Sequence, residues 1–125
     1  MRLEYLQSDP NESGLIRLYD FAQEEVCELR KIAHELASGA PARIALQSEK
    51  WVVPVDGCGL SLRRGDRDCG VRRVGPLSFE CELSTLGWNN VEGLLEPFCT
   101  QPTVGFQWLT TQGKTPLLIS HNGKW

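Results

Sequence analysis

DFAQEEVCELRKIAHELASG, residues 20–39, decides the fold, because the hydrophobic period changes on either side of it. Ala22, Val26, Leu29, Ile32, Ala33 and Leu36 recur at three- and four-residue spacing, as one buried face of an α-helix requires. Asp20 suits an N-cap, Glu24 and Glu25 favour the positive first turn, and Gly39 followed by Pro41 ends the pattern. The opposite face, with Gln23, Cys27, Arg30, Lys31 and His34, reads as polar and solvated.

Outward from this helix the pattern is that of strands. RLEYLQ and GLIRLYD precede it, and the turn-rich SDPNESG between them suits a hairpin. ARIALQ, KWVVPV, GLSLR, GVRRV and LSFECELS follow it; in the last, Phe79, Cys81 and Leu83 alternate with Ser78, Glu80, Glu82 and Ser84. A second helix is expected from Thr85 as N-cap through LGWNNVEGLLEPF, with Trp88, Val91, Leu94, Leu95 and Phe98 on its apolar side and Pro97 in its last turn. Asn89, Asn90 and Gly93 make it weak by propensity, so packing must hold it. GFQWLT and PLLISHNGKW supply two more strands joined by TQGKT.

Runs of strands punctuated by isolated helices predict an α+β fold. The expectation is a single domain over residues 1–125, a mainly antiparallel meander with two helices packed mostly on one face. Strand 59–63 is expected to pair with 70–74, and 70–74 with 78–84. A bulge between Arg72 and Arg73 would turn both outward while Val71 and Val74 point inward.

Composition narrows the class. A chain of 125 residues with four tryptophans can bury a core of its own, and it has no apolar run long enough for a membrane span. Without a secretory leader pattern, the expected compartment is the cytoplasm. Cys27, Cys58, Cys69, Cys81 and Cys99 are odd in number and include no CxxC pair, so they read as reduced thiols.

RRGDRDCGVRR, residues 63–73, is the electrostatic anomaly. It holds Arg63, Arg64, Arg67, Arg72 and Arg73 against Asp66 and Asp68, three charges positive in a chain whose net charge is −3. These five arginines are the candidate binding residues, either for an acidic protein partner or for a small anion. The competing structural reading pairs Arg63 and Arg72 or Arg73 with Glu80 and Glu82 across neighbouring strands. Nucleic acid is disfavoured because the patch is short and lacks interleaved aromatics. The RGD of Arg64–Asp66 is short enough to arise by chance, and Cys69 beside the arginines invites a test of thiol reactivity.

No catalytic constellation is legible. His34 and His121 are the two histidines; the first lies on a helix face and the second in a turn beside Ser120 and Asn122. Asp56, Asp66 and Asp68 do not form a calcium loop, no phosphate-cradling glycine loop opens a helix, and no cofactor or metal is implied. Trp51, Trp88 and Trp108 read as core, whereas Trp125 could tuck against the sheet or stay free. The expected function is a non-catalytic binding or protein-interaction module, with small-anion or nucleotide handling, possible for an enzyme, as the alternative.

Overall fold

The computed structural model describes residues 1–7, 14–39, 41–102 and 104–125. Its elements run β1 (Arg2–Leu6), β2 (Leu15–Tyr19), α1 (Gln23–Ser38), β3 (Arg43–Ala45), β4 (Val53–Pro54), β5 (Gly59–Arg64), β6 (Gly70–Gly75), β7 (Ser78–Leu83), α2 (Thr85–Thr100), β8 (Phe106–Thr110) and β9 (Leu117–Ser120). The fold is α+β as expected, but the strands form two mixed sheets rather than one meander. The five-stranded sheet has the order β4-β1-β2-β9-β8 and the four-stranded sheet β3-β5-β7-β6. Three of the pairings, β1 with β4, β2 with β9 and β5 with β7, are parallel.

The hairpin of β1 and β2 forms as expected, as does that of β8 and β9. For the turn SDPNESG between β1 and β2, residues 8–13 lie outside the described residues. The parallel contact of β2 with β9 joins the first hairpin to the last, a pairing that no local pattern announces.

The expected pairing of β5 with β6 does not occur; β7 lies between them, parallel to β5 and antiparallel to β6. With β7 central, Glu82 stands opposite Arg63 and Glu80 opposite Arg72, so β5 and β6 each meet an acidic neighbour. The Gly65–Cys69 connection therefore crosses the end of β7, where Gly65 N–H donates to the Leu83 carbonyl at 3.0 Å.

The register of β6 shifts between Arg73 and Gly75, one step later than expected. Arg72 faces outward, but Arg73 continues the alternation to the inner side and Val74 is left exposed. Arg73 can occupy that rim position because its guanidinium lies over the Tyr5 and Phe79 rings, 5.2 and 5.7 Å from their centroids. Its donors are spent on the Gly75 and Pro76 carbonyls.

Helix α1 buries Val26, Leu29, Ile32, Ala33 and Leu36, and ends on Gly39 in the left-handed region at φ 102°. Its N-cap is Ala22, not Asp20; the Glu25 carboxylate accepts the Ala22 N–H at 2.7 Å, while Asp20 is turned to Arg2. Helix α2 buries Trp88, Val91, Leu95 and Phe98 and is capped by Ser84, whose Oγ accepts from Gly87 N–H at 3.1 Å. The face of α1 expected to be wet is in part the seam with α2. Cys27 is disulfide-bonded to Cys99, and His34 Nδ1 lies 3.2 Å from Glu92 Oε2. Each pair of positions is seven residues apart and the two run in opposite directions, which sets the helices antiparallel over two turns.

The disulfide corrects the expectation that all five cysteines are reduced; Cys58, Cys69 and Cys81 are the free thiols. An odd total hid it, and the two half-cystines come from helices whose pairing sequence spacing does not give. Buried side chains of both helices and both sheets join one cluster, and the sheets meet where Tyr5 packs on Phe79 at 4.7 Å between centroids.

The Cys27–Cys99 bond closes a sequence separation of 72. The paired change Cys27→Ser with Cys99→Ser is expected to lower the unfolding free energy by about 4 kcal/mol on the chain-entropy scale. Urea unfolding followed by tryptophan fluorescence checks this: reductant should destabilise the parent similarly and leave the variant unmoved.

Candidate functional site

The outer face of the four-stranded sheet is built by strand alternation. Leu60, Leu62, Val71, Phe79, Cys81 and Leu83 turn to the core. The opposite parity therefore brings Arg43, Ser61, Arg63, Arg72, Glu80 and Glu82 together on one face. Glu80 is the hub. Its side chain is only 6% exposed, because three guanidiniums lie over it: Arg72 Nη2 at 3.1 Å, Arg43 Nη2 at 3.5 Å and Arg63 Nη1 at 3.7 Å. Arg63 also reaches Glu82 Oε1 at 3.4 Å, and Arg43 donates to Ser61 Oγ at 3.3 Å.

The arginine side chains themselves stay 60% (Arg43), 46% (Arg63) and 66% (Arg72) exposed. The carboxylate is sequestered and the cations are displayed. With three guanidiniums against two carboxylates the face keeps one net positive charge, and it is held in place by its own ion pairs. Arg43 was not among the sequence candidates. It stands directly opposite Arg63 in the ladder, and only the register of β3 against β5 places it there.

The five sequence candidates do not converge on one point. Arg63 and Arg72 serve the Glu80 hub. Arg64, on the inner parity, donates to the Leu36 carbonyl at the end of α1 at 3.2 Å, satisfying a helix C-terminus. Arg67 occupies the crossing loop, where a depression of about 420 Å³ is bordered by Arg63, Arg64, Arg67 and Glu82. Arg73 sits at the far rim with Tyr5 and Phe79.

The crossing loop is fixed by its acid. Asp68 Oδ1 accepts from both the Ser84 N–H and the Ser84 hydroxyl at 2.8 Å, tying the loop to the start of α2. Gly87 permits this approach, since a Cβ there would lie 2.3 Å from Asp68 Oδ1. Trp88 adds a second tie through its indole N–H, which donates to the Arg63 carbonyl at 3.0 Å.

A cavity of about 570 Å³ opens where the two sheets meet, between Tyr5, Val71, Arg72, Arg73, Lys114 and Thr115. It forms because the loop before β9 is seated on β6: Val71 bridges Thr115, and Gly70, at φ 76°, lets the Gln112 backbone approach to where a Cβ would be 2.1 Å from its carbonyl oxygen.

Cys69 borders this cavity, with its thiol 3.5 Å from Glu82 Oε2. Desolvation in the loop, together with the hydrogen bond to Glu82 and its charge, pushes the thiol pKa up, outweighing Arg67 and Arg72. Burial pushes Cys58 up to about 11, with the Glu4 charge adding to it, and Cys81 to about 12. None of the three is poised as a thiolate at neutral pH. His121 packs edge-on against Phe21, at 5.8 Å between centroids. Trp125 is half exposed and edge-on to Trp108, so the last residue rests on the sheet. Among the described residues no cluster of His, Cys, Asp or Glu could hold a metal ion.

No protein-family model, no curated protein and no solved structure matches the chain.

Two outcomes follow from this geometry. Glu80→Gln removes the ion pairs but leaves the arginines solvated and is expected to cost about 1–2 kcal/mol, whereas the triple change Arg43→Ser, Arg63→Ser, Arg72→Ser removes the same pairs while uncovering the carboxylate to water and should cost no more than that. Denaturant unfolding of both variants gives the order. In iodoacetamide alkylation, Cys69 should react more slowly than a free model thiol at neutral pH and accelerate as pH rises through its raised pKa. Faster reaction than the model thiol would contradict the influence assigned to Glu82.

Proposed function

We propose that the protein is a non-catalytic binding module that presents the outer face of its four-stranded sheet to an acidic segment of a protein partner. The observation that carries this reading is the arrangement over Glu80, where Arg43, Arg63 and Arg72 are exposed yet already oriented. A partner carboxylate can then be met by guanidiniums that lose little freedom on binding. Arg67, beside this face in the crossing loop, extends the positive region. Charge of this kind steers encounter and gives specificity more than raw affinity.

The small-anion reading rests on a different observation, the cavity between the sheets with Arg72, Arg73 and Lys114 at its wall. It ranks second because Arg72 is held by Glu80 and Arg73 donates to backbone carbonyls.

The setting that fits the Cys27–Cys99 bond is a non-reducing one. Among the described residues no helix is long and apolar enough to cross a membrane.

The test is anisotropy of a fluorescein-labelled decaglutamate peptide titrated with the protein at low and physiological salt. Binding should weaken as salt rises, and Arg63→Ser with Arg72→Ser should weaken it by about ten-fold or more at a temperature where circular dichroism shows the variant folded. Absence of binding by the parent at low salt, or equal binding by the variant, would overturn the proposal. Displacement of the peptide by inorganic phosphate with no effect of the two substitutions would transfer the function to the cavity.

A further inference from the structure

The cavity of about 570 Å³ where the two sheets meet is closed by a loop that two glycines allow to sit on β6. Gly70 and Gly113 both adopt φ 76°, and a Cβ on Gly113 would stand 2.8 Å from the Val71 carbonyl oxygen. The close seat lets Thr115 bridge Val71, and Thr115 is itself buried. The backbone of Lys114, between Gly113 and Thr115, is thereby anchored at the cavity wall.

Charge in the lining is unbalanced. Arg72, Arg73 and Lys114 stand against one acid, Glu82. Both oxygens of Glu82 are engaged, Oε1 with Arg63 Nη1 at 3.4 Å and Oε2 as acceptor of the Cys69 thiol at 3.5 Å. Arg72 is drawn to Glu80. Arg73 donates through Nε and Nη2 to the Gly75 and Pro76 carbonyls, which leaves its Nη1 without a hydrogen bond among the described residues. Lys114 is exposed and forms no ion pair or hydrogen bond among the described residues. The uncompensated charge therefore lies at Lys114 and at Arg73 Nη1.

The remaining wall is mostly apolar and includes the half-buried Tyr5 ring and Val71. Its volume falls within the range of small-molecule sites, about 300–1,000 Å³. Inorganic phosphate or acetate would fill a small part of it and leave the apolar wall in water. A ligand with an apolar body removes that wall from water while its charge meets Lys114. Arg73 selects a flat body: its guanidinium already lies over the Tyr5 and Phe79 rings, and a planar cation of this kind takes aromatic partners.

We propose that the cavity binds a small aromatic molecule carrying one anionic group, with the anion on Lys114 and Arg73 Nη1 and the ring against Tyr5 and Val71. This site rests on the small-anion reading of the cavity, which it narrows to aromatic anions, and not on the acidic partner of the Glu80 face.

The probe is 2-naphthoate, titrated into the full chain at physiological salt and followed by ¹⁵N–¹H NMR. Shifts should centre on the amides of Val71, Lys114 and Thr115. The neutral analogue 2-naphthalenemethanol should bind about ten-fold or more weakly, and Lys114→Gln, a change at an exposed position that keeps the fold, should weaken 2-naphthoate by a similar factor. Acetate and inorganic phosphate should leave the same amides unmoved at millimolar concentration. The proposal is overturned if 2-naphthoate at millimolar concentration leaves those amides unmoved, if the neutral alcohol binds as tightly, or if Lys114→Gln binds as the parent does. Shifts of the same amides with acetate or phosphate as strong as with 2-naphthoate would overturn the aromatic requirement and leave the small-anion reading standing, whereas silence with all of these probes would remove both.

Discussion

The position of Glu80 on a central strand is the constraint on which the four-stranded sheet depends. A carboxylate with 6% exposure is costly to bury alone, and here it is covered by Arg43, Arg63 and Arg72 from three other strands. This cover goes with β7 lying between β5 and β6, parallel to the first and antiparallel to the second, and with the Gly65–Cys69 connection crossing the sheet end. The crossing in turn delivers Asp68 to the start of α2, whose weak sequence gains there the capping that Asn89, Asn90 and Gly93 do not supply.

The same interaction underlies the proposed binding face. Ion pairs to a sequestered carboxylate fix the arginines from below and leave their outer edges open. An arginine surface with this construction is ordered before a partner arrives, which distinguishes it from a solvated fringe of flexible cations.

Much of this was legible in the sequence where periodicity is strong. The apolar stripe from Val26 to Leu36 and the alternation of Phe79, Cys81 and Leu83 each survive in the structure. What local pattern could not show is which strands neighbour one another. A meander was the natural expectation, and the acid–arginine match between Glu80 and two flanking strands was the signal that could have displaced it. Arg43 escaped notice because a lone arginine in ARIALQ gains meaning only through the register of β3. The disulfide had a trace too: Cys27 and His34 share the seven-residue spacing of Glu92 and Cys99, a match visible once both helices are aligned antiparallel. Arg73 and Val74 exchanged their expected faces because stacking on Tyr5 and Phe79 stabilised the arginine inward.

A thermodynamic double-mutant cycle between Arg72 and Glu80, using Arg72→Ser and Glu80→Gln, tests the hub most directly. If the guanidinium and the sequestered carboxylate hold each other, unfolding free energies should show a favourable coupling of about 1 kcal/mol or more. Strict additivity, with coupling within about 0.3 kcal/mol of zero, would mean that Glu80 is not the organising charge of the sheet and that the arginines above it are not held for a partner.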